Sequence, residues 1–141
     1  MPIILLVLAT ASGVALAASP PAPGYRHATN QACAARTAAE ARAEPDDVAD
    51  RAQVLRFFRE LAGAQRTLVS RLEPLRPPRA DRPAFGRLVS AERDVTPLLD
   101  EAVRLLVKGA TPARAQARVA GRLAKVGGRI DAEARALRVR A

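Results

Sequence analysis

Three stretches of the chain repeat their apolar residues at intervals of three and four, and each is bounded by proline or glycine. In the first, Val54, Phe57, Leu61, Ala64, Leu68 and Leu72 are spaced 3, 4, 3, 4 and 4, with Leu55, Phe58 and Val69 beside them. The second carries Phe85, Leu88, Val95, Leu98, Ala102 and Leu105, flanked by Val89, Leu99 and Leu106. The third carries Val119, Leu123, Val126, Ile130, Ala134 and Leu137. This is the α-helical period, and it turns one face of each stretch toward a partner. No strand pattern competes with it.

Local signals place the boundaries. Thr29 or Asn30 is a fair N-cap for a short Ala-rich first helix reaching about Ala43, where Glu44-Pro45 ends it. Asp46 and Asp47 put negative charge where the dipole of a second helix favours it, and Pro74 stops that helix. Leu75-Arg76-Pro77-Pro78-Arg79-Ala80 is a rigid connector that sets geometry more readily than it recruits a partner. Asp81 is the expected cap of the third helix, with Pro83 in its first turn and Gly109 as its stop. Pro97 predicts a kink there, or a separate helix capped at Thr96-Pro97. Thr111-Pro112 opens the fourth helix, in which Gly127-Gly128 marks a close approach or a soft point. Short links between long helices predict an all-α, up-down-up-down bundle of one short and three long helices over residues 29–141.

The core of such a bundle is thin. Ala supplies 32 of the 69 hydrophobic residues. Of the 124 residues after position 17, 26 are Leu, Ile, Val or Phe. That share sits near the level of roughly 20% below which a charged chain stays disordered. Ala loses no side-chain entropy in a helix but buries little area, so helicity is expected to be high and stability modest.

The N-terminus has a different character. No charged side chain occurs from Pro2 to Tyr25, and Ile3-Ile4-Leu5-Leu6-Val7-Leu8 is a compact apolar run. Ala15-Leu16-Ala17 then offers small residues at the positions read by a signal peptidase, predicting removal of residues 1–17. Residues 18–28 follow as an extended Pro-rich leader. The run is shorter than the roughly 20 residues of a membrane span, so export outranks retention by an uncleaved anchor.

The chain resembles small secreted helical proteins of unknown function from high-GC Gram-positive bacteria. The resemblance rests on the leader, on Tyr25 eight residues before Cys33 with Asn30 between, on the Phe58/Leu61 face, and on Leu72-x-x-Leu75-x-Pro77-Pro78. Such proteins often carry a second Cys in a C-terminal Leu-Arg-x-Cys context. Here Leu137-Arg138-Val139 is followed by Arg140, so the resemblance implies that a cross-link from the first helix to the last is missing. It implies no activity.

No arrangement of residues suggests catalysis. There is no Gly-rich phosphate loop, no paired-carboxylate cleft and no Ser-His-Asp set, so an enzyme is not expected. No cofactor and no metal are expected either: His27 and Cys33, each the sole residue of its type, fall short of the three or four ligands a metal site needs. Asp46, Asp47 and Asp50 read as helix-start residues. Cys33 reads first as a small buried residue, and otherwise as a thiol for pairing with a second chain.

Charge is the more informative feature. Residues 111–141 hold +6 of the chain's net +9. Arg114, Arg118, Arg122, Lys125 and Arg129 recur at 4, 4, 3 and 4, one stripe flanking the apolar seam by about 100° on the helix. As a binding face it suits anionic cell-wall polymer or anionic lipid headgroups. Nucleic acid is disfavoured, because stacking aromatics are scarce. As a bland face, its Arg stems cover the edge of a thin core. The expected function is therefore a non-catalytic binding or structural protein of the cell envelope. Its rivals are a membrane-anchored bundle and a secreted adaptor dimerising through Cys33 or an exposed helix face.

Overall fold

A computed structural model describes residues 24–141, so the signal segment at 1–17 and most of the leader lie outside the described residues. Four helices make up the described chain: α1 (Tyr25–Ala43), α2 (Arg51–Leu72), α3 (Arg82–Val107) and α4 (Pro112–Leu137). No strand occurs among the described residues. The principal contacts are α1 on α2, α2 on α3, and α3 on α4.

The apolar stripes become the core, with small rotations. On α2, Val54, Phe58, Leu61, Leu68 and Leu72 are buried, whereas Phe57 is half-buried. On α3 the buried set includes Phe85, Leu88, Val95, Leu99, Ala102 and Leu106, with Leu105 at its margin. On α4, Val119, Val126, Ile130, Ala134 and Leu137 are buried, and Leu123 is half-buried. Ala32, Ala62, Ala91, Ala102, Ala115 and Ala134 fill the space between them at 5% exposure or less. Small side chains let helix axes approach, which is how a chain this poor in large apolar residues still closes a core.

The helix starts differ most from the sequence reading. α1 begins at Tyr25, four residues early, so residues 25–28, expected to be extended, are helical. Thr29 does not cap it; its hydroxyl donates to the Tyr25 carbonyl inside the helix at 2.7 Å. A tertiary anchor holds this added turn instead. The Tyr25 ring meets Phe85 edge-on at 5.7 Å, and its hydroxyl donates to Asp81. Asp81 is thereby spent on α1 and makes no side-chain cap to α3. Gly24, at φ +104, makes the bend before this turn, where a Cβ would be strained.

Asp50, not Asp46 or Asp47, caps α2, accepting from Ala52 N at 2.8 Å and Gln53 N at 3.2 Å. Gln53 Oε1 reaches back to accept from the backbone N–H groups of Asp46 and Asp47. α3 runs unbroken through Pro97, so Thr96-Pro97 starts no second helix. Buried Val95, Leu98 and Leu99 on either side hold the segment down, and the proline ring faces solvent. Gly109 ends α3 at φ +93, with Ala110 N donating to Leu105 O as in a left-handed helix stop. Thr111 caps α4 through Arg114 N at 3.2 Å, as its sequence signal suggests.

Candidate functional sites: a basic flank and a polar cleft

All five residues of the α4 stripe are exposed on one flank. α3 supplies carboxylates to three of them. Arg129 meets Asp94 at 2.7 Å, while Arg122 and Arg118 share Glu101 at 2.6 and 3.3 Å. Arg87 of α3 returns the favour by holding Glu133 of α4 at 2.7 Å. Arg87, Asp94 and Glu101 lie seven residues apart, the spacing that keeps side chains along one helix seam. The guanidinium hydrogen bonds hold the Glu101 and Glu133 carboxyls below the usual range. Arg114 and Lys125 have no carboxylate partner among the described residues. The stripe is thus a charged zipper with two cations left open.

The second feature was not anticipated. A cleft lined by all four helices runs along the bundle in two joined halves that share Arg36, Val95, Gly127 and Ile130. One half has a cavity volume of about 70 Å³ and is lined by Cys33, Arg36, Gln65, Glu92 and Asp131. The other has a similar cavity volume, about 70 Å³, and is mainly apolar, lined by Phe57, Leu61, Leu99, Val119 and Leu123, with Arg36, Glu40 and Gln116 at its polar margin.

Gln65 and Glu92 sit where their helices would otherwise present apolar residues, at 1% and 5% exposure. Gln65 Nε2 donates to the Glu92 backbone carbonyl at 3.0 Å and to its carboxylate at 2.6 Å. Those two acceptors fix the amide's orientation and turn Oε1 away from them. Among the described residues Oε1 then has no hydrogen-bond partner, and neither does buried Arg36 Nε. Arg36 spends its Nη1 on Glu40 at 3.0 Å, one turn along α1. Burial raises the Glu92 carboxyl above the usual range, opposed by the Gln65 hydrogen bond and the Arg36 charge. A missed signal for these residues exists in the sequence: Gln65 lies four after Leu61, and Glu92 four after Leu88, both in core register.

Cys33 is 5% exposed, and burial pushes its thiol up to about 12, aided by the nearby Glu92 and opposed by Arg36. It fits the reading of a small buried residue; pairing with a second chain would require α1 to lift from its neighbours. His27 is exposed, and no group of His, Cys, Asp and Glu among the described residues is placed to hold a metal ion. The Pro-rich connector satisfies itself: Arg76 donates to the carbonyls of Glu73 and Leu75, and Arg82 to that of Pro77.

Compared with protein families, curated proteins and solved structures, the chain matches none. No helix among the described residues is long and apolar enough to cross a membrane.

Proposed function

We propose that the protein is an exported, non-catalytic helical bundle of the cell envelope that contacts anionic polymer or lipid headgroups through α4. The observation that carries this reading is the exposed basic flank, where Arg114 and Lys125 have no carboxylate partner among the described residues and Arg118, Arg122 and Arg129 lie beside them. Carboxylates on α3 screen the middle of the flank, so binding is electrostatic, weak and steeply salt-dependent. Export rests on the apolar run and Ala15-Leu16-Ala17; N-terminal sequencing of exported material beginning at Met1 would favour the anchored rival.

The four helices run up-down-up-down in this reading. The ion pairs support it: as α3 numbers rise through Arg87, Asp94 and Glu101, their α4 partners fall through Glu133, Arg129 and Arg122. Arg140 N donates to Asn30 Oδ1 at 2.7 Å, tying the last segment to α1 one turn before Cys33.

The test is sedimentation with phosphatidylglycerol vesicles across a salt series. Arg114→Gln with Lys125→Gln should weaken binding and leave the ion pairs intact. Arg118→Gln, Arg122→Gln and Arg129→Gln together should abolish it with helicity unchanged, since Gln is nearly as good a helix former. The same changes at Arg56, Arg59 and Arg66 on α2 should matter far less. Equal losses from the α4 and α2 triples would reduce the stripe to bulk charge.

A further inference from the structure

α4 carries no acidic residue before Asp131, although five cations stand exposed along it up to Arg129. The carboxylates that face them, Asp94 and Glu101, both come from α3. Five cations against two carboxylates leave this stretch net positive. Pairing follows the turn of the helix. At about 100° per residue, Arg118, Arg129 and Arg122 lie on the side of α3, while Arg114 and Lys125 sit on average about 50° farther round. The two cations without a carboxylate partner among the described residues are therefore the two that border the solvent side. Next to them on that side are Ala113, Ala117, Gly121, Ala124 and Gly128, all exposed. A Cβ added at Gly121 or Gly128 would meet nothing within 4 Å. For about 22 Å of helix, the long basic arms thus rise beside a low shoulder of small residues. The cations supply the attraction, and the shoulder sets the shape of what can lie against them.

What this surface lacks selects the anion. A helix that seats in a membrane interface inserts large apolar side chains below the headgroups. On α4 those side chains, Val119, Val126, Ile130 and Leu137, are buried in the bundle. Val107 of α3 is the only large hydrophobic residue exposed among the described residues. A nucleic acid gains its grip from rings that stack on its bases, and α4 has no aromatic residue. Successive cations stand about one turn apart, about 6 Å along the axis, so a slim chain with regularly spaced charges can follow them. Four of the five are Arg, whose planar fork meets two phosphate oxygens at once. A phosphodiester carries its charge in the main chain, so the chain itself can seat on the shoulder; a polycarboxylate carries its charge on side groups that hold the main chain off. We propose that the ligand of α4 is a linear phosphodiester polymer with small, non-aromatic repeats, lying along the Ala/Gly shoulder with its phosphates on the basic arms. This rests on the anion-binding reading of α4 and names the class of anion. Arg114 and Lys125 engage first. Arg118, Arg122 and Arg129, each with its side chain at least half exposed, then exchange α3 carboxylates for phosphates, because solvent-exposed pairs are weak.

The test is titration of the purified protein with glycerol phosphate oligomers of increasing length, beside phosphatidylglycerol vesicles, oligothymidylate and poly-glutamate at equal charge. Affinity for the oligomers should rise steeply until their phosphates span the stripe, and little beyond that. At that length the oligomer should bind more tightly than any of the other three. Its affinity should fall with salt at a log–log slope of roughly −2 to −3.5, as expected when about three to five phosphates are neutralised. Arg114→Gln with Lys125→Gln should make that slope shallower by about 1.4. Ala117→Gln with Ala124→Gln is the independent arm: it changes no charge, both positions are exposed, and Gln keeps the helix. By raising the shoulder it should weaken the oligomer about tenfold, or 1.4 kcal/mol, and leave vesicle binding unchanged. Circular dichroism checks that each variant stays helical. Vesicles, oligothymidylate or poly-glutamate binding as tightly as the oligomer, or an indifferent Ala117→Gln/Ala124→Gln pair, would overturn the polymer seat and leave the anion-binding reading of α4 standing. Failure of all four ligands to bind at low salt would overturn both.

Discussion

The α3–α4 seam and the cleft bordered by α1 use the same residue types to opposite effect. At the seam, Asp94 and Glu101 meet Arg129, Arg122 and Arg118 with every guanidinium at least half exposed. Water screens these pairs, so they align the helices more than they stabilise them. In the cleft, Arg36 and Glu92 are withdrawn from water, and Arg36 keeps 13% of its side-chain exposure. There the same charges lose hydration and depend on each hydrogen bond they find. One region is satisfied and exchangeable; the other is buried and incomplete.

Core truncations probe the two regions most strongly. Leu88 is fully enclosed, and Leu88→Ala should cost about 2–5 kcal/mol in urea denaturation. Leu61→Ala should fall toward the lower part of that range, because the space it vacates adjoins a cleft that water can enter. Leu123→Ala should cost less again, since Leu123 is half-buried. A Leu123 loss equal to that of Leu88 would mean the cleft wall is packed as tightly as the core.

An intermediate effect is expected from Glu92. Burial raises its carboxyl in the folded state, so the folded chain holds that proton more tightly than the unfolded chain does. The associated stability is complete at pH below the ordinary carboxylate value and is lost as pH rises through the raised one. Glu92→Gln, which keeps an acceptor for Gln65, should therefore gain on the parent from acid to neutral pH. Parallel stability curves for the two proteins would show that Glu92 is better solvated than its burial suggests.

The smallest effect belongs to the seam. Asp94→Asn and Glu101→Gln should each lower the melting temperature slightly at low salt and not measurably at high salt. A large salt-independent loss would erase the contrast between the two regions.

The repeat of apolar residues at three and four determined by itself that the chain is helical and roughly where α2, α3 and α4 lie. Thr111 and Gly109 were readable as a start and a stop because capping is local chemistry, contained within one turn of chain. The basic stripe was readable too, since its spacing is a property of one helix. What α3 does to that stripe was not, because Asp94 and Glu101 lie 35 and 21 residues from Arg129 and Arg122. The early start of α1 was decided by Tyr25 finding Phe85 and Asp81 across the bundle, an anchor strong enough to replace a missing cap. The cleft belongs wholly to tertiary structure. Gln65 and Glu92 each interrupt an apolar stripe in the sequence, but whether such a residue is a flaw, a surface or a site depends on what the other helices bring against it. Burial is a property of the assembled helices, and the cost of an unmet hydrogen bond exists only once they have closed.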